Sequence, residues 1–231
     1  MIRCYDDFIE TLLKAGFSLS IGDSGIYAAV PWGWFDPPPY DTPVSWNAAD
    51  PDISPWVWRM RVLEERTDIA YGKFFFKKSG YITKEWAPYF LAVRRGGDTF
   101  ADAYKNGEIS HVAKQIYDAI SDNGILPSNG FKHFPGFDKS KKSAFERGLV
   151  ELQMKMFITM CGQQRKSPDK AKTYGMAATL LCTTENFWDS EVFDIAAGIR
   201  KEDAFAAIRE RILELNPAAD EKNIVKFIYG N

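Results

Sequence analysis

One stretch of this chain, residues 109 to 184, constrains the fold more than any other, because its apolar spacing and its breakers come in a definite order. Between Ser110 and Asp122, Val112, Ile116 and Ile120 recur every four residues with Ala113 and Ala119 beside them, and Gly124 ends the stripe. That is an amphipathic helix with a C-terminal stop. Ile125-Leu126-Pro127-Ser128 then sets an apolar pair, a proline and an N-cap in succession, which predicts a short helix over Ser128 to Phe134 closed by Pro135-Gly136. Asp138 caps a longer helix to about Met154, and Phe145, Leu149, Leu152 and Met156 share one of its faces. Two β-prone runs follow, Phe157 to Gly162 and Met176 to Thr184, separated by the polar, basic segment Gln163 to Gly175. Helix, short helix, longer helix and hairpin is the order of a winged helix-turn-helix.

The flanks read as helices with some strand. Asp6 to Ala15 is a short amphipathic helix stopped by Gly16. Phe17 to Ile21 and Ile26 to Val30 are strand-like, and Gly22-Asp23-Ser24-Gly25 between them predicts a hairpin. Pro31 to Pro55 holds seven prolines and is a long loop, ordered because Trp32, Trp34, Phe35 and Trp46 are too many rings to leave in water. Trp56 to Ala70 reads as helix and Tyr71 to Lys78 as a connection. Thr83 to Val93 reads as a helix capped by Thr83, with Trp86 and Phe90 stacked, and Thr99 to Tyr104 as a helical turn. Toward the end, Asp203 to Leu215 and Ala219 to Tyr229 carry helical stripes on either side of Pro217. The expected fold is mostly α with small β-hairpins, an α+β chain. Its central winged helix (109–184) packs with an N-terminal helical and aromatic region (1–108) and C-terminal helices (185–231). No Ser/Gly linker parts them, so one compact unit is expected.

The net charge is −2, so affinity for nucleic acid has to come from a local patch. In a winged helix the third helix enters the major groove and the hairpin loop touches the backbone. The span Asp138 to Tyr174 holds nine Lys and Arg against Asp138, Glu146, Glu151 and Asp169, a net of +5, which leaves −7 for the rest. The candidates for contact with double-stranded DNA are Lys139, Ser143 and Arg147 on the helix, and Arg165, Lys166, Lys170 and Lys172 in the wing. The plainer alternative is a structural winged helix whose lysines are simply solvated.

Other chemistry is sparse. Cys4, Cys161 and Cys182 are odd in number and widely spaced, with no CxxC, so neither a zinc site nor a bridge is expected, and the chain reads as cytoplasmic. The acidic N-terminus is no signal peptide, and no apolar run is long enough to span a membrane. His111 and His133 lack a neighbouring nucleophile or ligand spacing, and the carboxylate pairs Glu64-Glu65 and Asp50/Asp52 are cheap in a chain that is 26% charged. There is no P-loop, GxGxxG, GxSxG or HExxH, and no cofactor or metal is implied. Trp32, Trp34, Trp46, Trp56, Trp58, Tyr71, Trp86 and Tyr89 form either a core around the long loop or a pocket for a flat ligand such as a base, a core being the plainer reading.

Several runs resemble a known family. Ser110-His111-x-Ala113-Lys114-x-Ile116-Tyr117, Phe145-Glu146-Arg147-x-Leu149-Val150-Glu151-Leu152-Gln153-Met154 and Ile158-Thr159-x-Cys161-Gly162 look like the AlkZ-related group of bacterial proteins. So do Trp56-x-Trp58, Tyr71-Gly72-Lys73-Phe74-Phe75, Trp86-x-Pro88-Tyr89-Phe90-Leu91 and Asn216-Pro217 with Phe227-Ile228. That group is similar to the AlkZ/YcaQ-like winged-helix superfamily, whose better-known members are DNA glycosylases that unhook crosslinks and remove alkylated bases. The resemblance implies a winged helix and a connection to DNA repair. The glycosylases position a water with a Gln-x-Gln or Gln-x-Asp motif, and this chain has neither: Gln153-Met154-Lys155 departs at its third residue, and Gln163-Gln164 are adjacent. No catalytic residue carries over. The expected function is DNA binding. The alternatives are a glycosylase acting on alkylated or crosslinked bases, and a winged-helix scaffold with an aromatic small-molecule pocket.

Overall fold

The computed structural model describes residues 1–22, 25–130, 142–164 and 178–230. Helix α1 (Tyr5–Ala15) buries Tyr5, Phe8, Ile9 and Leu12 and stops at Gly16, in the positive-φ region, where the Trp86 indole lies too close to admit any Cβ. Strand β1 (Phe17–Leu19) follows. It does not form a hairpin with residues 26–30. Its ladder partner is β3 (Lys78–Thr83), with Phe17 opposite Ile82. The run Ile26 to Val30 lies alongside β1 on only two bonds, Leu19 N–H to the Tyr27 carbonyl and Ala29 N–H to Ser18 Oγ. β1 is the outermost strand of the sheet and Ile26 to Val30 lies along its free edge, but the expected hairpin is not completed, because Ala29 N–H goes to the Ser18 hydroxyl instead of a backbone carbonyl.

The proline-rich loop is held by its own indoles. Trp46 Nε1 donates to the Trp32 carbonyl at 3.0 Å, and Trp58 Nε1 donates to the carbonyls of Pro51 and Asp52. Helix α2 (Pro55–Glu65) is shorter than expected, because β2 (Ile69–Phe75) takes over its predicted C-terminal end. Tyr71 to Lys78 is accordingly no connection. It is most of a tight hairpin between β2 and β3, turning on Phe76 and Lys77, both at positive φ (51° and 62°). Thr83 closes β3 and caps nothing in α3 (Ala87–Arg94), whose N-cap is Trp86 with Pro88 in the first turn, where a missing N–H is harmless. Trp86 and Phe90 meet through Phe17, which packs edge-on against both. Helix α4 (Phe100–Lys105) begins with a Thr99/Asp102 capping box.

Helix α5 (His111–Asn123) forms as its stripe requires. Ser110 Oγ accepts from Ala113 N–H, Ala113, Ile116, Ala119 and Ile120 are buried, and Gly124 turns the chain into β4 (Ile125–Pro127). Of the expected Ser128 to Phe134 helix only residues 128–130 are described. Helix α6 (Lys142–Met154) lies so close to α5 that a Cβ on Gly148 would stand 2.8 Å from Ile116 Cδ1. Strands β5 (Ile158–Gln164) and β6 (Ala178–Thr183) pair antiparallel, and β6 also pairs with β4. Helices α7 (Thr184–Phe187), α8 (Ser190–Gly198), α9 (Lys201–Leu215) and α10 (Glu221–Tyr229) complete the chain. The architecture is therefore α+β.

All six strands belong to one antiparallel sheet in the order β1-β3-β2-β5-β6-β4. Its two halves join at a single pair, Tyr71 opposite Met160. Three apolar clusters cover it. One is built on Phe17, Phe75, Phe90 and Phe227 beneath α3 and α8–α10, and a second on Tyr5, Phe8, Trp46 and Trp58. The third, Ile116, Ile120, Leu152, Phe157 and Leu181, fills the space between α5, α6 and β4–β6. Cys4, Cys161 and Cys182 are free thiols; the hydrogen bond with Cys161, and then burial, push the Cys182 thiol up. No helix among the described residues is long and apolar enough to cross a membrane.

Candidate functional site

The exposed side of α6 opens on a groove of about 790 Å³. Ser143, Glu146, Arg147 and Val150 form one wall, and Lys73 and Lys77 come from the β2–β3 hairpin. Lys201 at the start of α9 and Tyr229 and Gly230 at the end of α10 form the opposite side. Among the described residues six cations line it (Lys73, Lys77, Arg94, Arg147, Lys155, Lys201) against Glu108, Glu146 and Glu151, a net of +3. All three acids are already engaged: Glu108 pairs with Lys155 at 3.3 Å, Glu146 with Lys142 at 3.8 Å, and Glu151 accepts from the backbone N–H and the hydroxyl of Ser110 at 2.7 Å. Lys73, Lys77, Arg147 and Lys201 make no ion pair among the described residues. Arg147 donates to Ser143 Oγ at 2.7 Å, one turn back along α6.

Arg94 forms the floor. Its guanidinium donates to the carbonyls of Ile228, Phe74, Met154 and Phe227 at 2.8–3.0 Å. Met154 ends α6, and Phe227 and Ile228 lie in the last turn of α10, so one cation meets the negative ends of two helices. Burial pushes Arg94 down from its ordinary value to about 9, which still leaves it protonated at neutral pH. It has no room to bond a ligand through the same donors. Gly230 passes over it at positive φ, where a Cβ would come within 3.1 Å of the guanidinium carbon.

The expected site residues divide. Ser143 and Arg147 face the groove together, whereas Lys139, Arg165, Lys166, Lys170 and Lys172 lie outside the described residues. Of the aromatic set, Trp34, Trp46, Trp56 and Tyr71 line a second cavity of about 420 Å³. Trp32 and Trp58 are buried in the core beneath it. Trp86 and Tyr89 pack on each other beside α3, in another part of the molecule. Lys73, Lys77 and Lys201 escaped the sequence reading because nothing local links three lysines so far apart in the chain to α6.

The other polar candidates serve the fold. His111 Nδ1 lies 3.2 Å from the Tyr104 hydroxyl, and His133 is outside the described residues. Asp50 caps the turn before Asp52, and Asp52 and Glu65 both pair with Arg61. Glu64 accepts from Gln163. Gln153 is buried with both amide ends bonded: Oε1 accepts from Lys73 N–H and Nε2 donates to the Leu149 carbonyl, both at 2.9 Å. No cluster of three metal-ligating side chains exists among the described residues.

Together these features describe an α+β protein with a basic groove against one helix and an aromatic cavity next to it. A family model described as AlkZ related matches residues 2–229, nearly the whole chain, and the protein belongs to the AlkZ-related family. No curated protein and no solved structure matches it.

Proposed function

We propose that this chain binds duplex DNA, with α6 facing the major groove and the basic groove beside it holding backbone phosphates. Helix α5, strand β4, helix α6 and strands β5 and β6 support a winged-helix reading, with its short second helix and wing tip outside the described residues; on that reading α6 is the reading helix and β5–β6 the wing. The observation that carries the reading is charge. Four cations without an ion-pair partner among the described residues gather on the exposed side of α6, in a chain whose net charge is −2. Phosphates are the counter-charge such a surface takes up, and the release of condensed ions drives the binding. Membership of the AlkZ-related family, which resembles repair glycosylases, supports the same partner.

The reading is binding without base hydrolysis. Gln153, the glutamine nearest to the water-positioning motif, has both amide ends bonded within the fold. Release of alkylated bases from methylated duplex by the purified chain would convert the reading to a glycosylase. The direct test is fluorescence anisotropy of a labelled duplex with the wild type and with Arg147→Ala/Lys201→Ala. Loss of two phosphate contacts lowers the magnitude of the salt slope by about 1.8, at ~0.9 per contact. Equal binding by the two proteins at every salt concentration refutes the assignment.

A further inference from the structure

The second cavity has its own chemistry. Trp34 and Trp46 stack at 5.7 Å and 25°, and Trp34 meets Trp56 edge-on at 4.9 Å. The Arg59 guanidinium carbon lies over the Trp56 ring, 3.2 Å from its centroid, and its Nε donates to the Trp56 carbonyl. Trp46 and Tyr71 are buried, but Trp34 at the mouth is 39% exposed, a large ring left facing solvent. Arg59, Lys73 and Lys78 supply three cations, and no carboxylate stands among the described lining residues.

Each feature narrows the guest. The volume falls within the roughly 300–1,000 Å³ of small-molecule pockets. Stacked indoles beside a planar guanidinium favour a flat ring, because a heteroaromatic base stacks on aromatic faces whatever its identity. The positive lining repels an ammonium guest, and Arg59 already covers one face of Trp56. Lys73 and Arg59 together offer more positive charge than one carboxylate needs and suit a phosphate, which carries about −1.5 to −2 at neutral pH.

We propose that this cavity binds a nucleotide, a flat heteroaromatic base stacked on the tryptophans with its phosphate toward Lys73 and Arg59. The ligand is either a free nucleotide or one unit of a single strand. Lys73 lines this cavity and the α6 groove alike, so a strand lying in the groove has a route into it. The assignment stands apart from duplex binding, since Trp34, Trp56 and Arg59 take no part in the groove.

The test is calorimetry on the full chain with adenosine monophosphate, adenosine, inorganic phosphate and a single-stranded oligodeoxyadenylate. Adenosine monophosphate is expected to bind at least ~10-fold tighter than either fragment, a difference of about 1.4 kcal/mol. Trp34→Ala and Lys73→Gln are each expected to weaken it ~10-fold, by loss of stacking and of one phosphate contact respectively, with Lys73→Gln leaving the melting temperature unmoved and both variants still melting cooperatively. Tighter binding of the oligomer, with the same sensitivity to Trp34→Ala, assigns the site to a strand. Binding of the mononucleotide alone assigns it to a free ligand. No heat with either, or equal affinity in wild type and both variants, overturns the proposal. Arg147→Ala separates the two readings: it is expected to lose duplex affinity and keep nucleotide affinity.

Discussion

Replacing Arg94 by Met sets two large effects against each other. Burial lowers the Arg94 pKa well below its ordinary value, to about 9. At ~1.36 kcal/mol per pH unit, that places the burial cost at about 5 kcal/mol, an upper bound because the stem still borders the groove. Opposing it are four hydrogen bonds from a charged donor to carbonyls of β2, α6 and α10. Such bonds are worth ~1.5–3 kcal/mol each, so about 6–12 kcal/mol together. The bonds win, and Arg94→Met is expected to lose about 4 kcal/mol, because Met removes the donors and leaves four carbonyls without a partner. At ~2–4 °C per kcal/mol for a chain of this size, the melting temperature falls by about 8–16 °C. Urea unfolding followed by circular dichroism gives the free energy and thermal melting gives the shift. Arg94→Lys restores the charge but not the planar fork, and is expected to fall between the two. A Met variant as stable as the wild type, or more stable, means that the cost of burying the cation dominates and the reasoning is wrong.

Three further outcomes follow from the same geometry. Lys77 sits at φ 62° in the hairpin turn, so Lys77→Gly is expected to gain about 1 kcal/mol of stability while weakening duplex binding; a loss of stability counts against the strained turn. Gly148→Leu drives a side chain into Ile116 and Ala113 of α5 and is expected to cost about 3 kcal/mol in chemical denaturation, whereas a neutral result would mean that α5 and α6 are not closely packed. Tyr5 and Tyr117 are pushed up to about 12, mainly by burial. A raised folded value means their contribution is complete below about 10 and lost as pH climbs from 10 to 12. Tyrosinate absorbance is expected to rise in two stages, the later one with unfolding; ten tyrosines ionising together near 10 contradicts it.

Residues 109–184 were the most legible part of the chain because local rules and tertiary packing agree there. The α5 stripe with its Gly124 stop and the two β-prone runs become α5, β5 and β6 with boundaries within a few residues, whereas Ile125–Pro127, read as the approach to a helix, is strand β4. The β2–β3 hairpin was hidden because its turn uses Phe76 and Lys77 where Asn-Gly would have marked it, and only packing, such as Phe76 against Phe227, holds such residues at positive φ. Residues 26–30 misled for the opposite reason: strong turn residues and β-prone side chains were present, but along the free edge of β1 the Ser18 hydroxyl takes the Ala29 N–H that a ladder would have used. In the site, Ser143 and Arg147 were readable from helix periodicity. Lys73, Lys77 and Lys201 were not, since the sheet and α9 bring them to α6 from 70 positions upstream and 54 downstream of Ser143 and Arg147 respectively. Composition drew attention to the tryptophans, but only the fold separates the cavity residues Trp34, Trp46 and Trp56 from the core residues Trp32 and Trp58.

The central claim is that four cations beside α6 neutralise DNA phosphates, and the salt dependence of duplex affinity tests it most directly. At ~0.9 per contact, Lys73, Lys77, Arg147 and Lys201 predict that log K falls against log salt with a slope of about −3.6 or steeper. A slope near zero, or no duplex binding at low salt, contradicts the account.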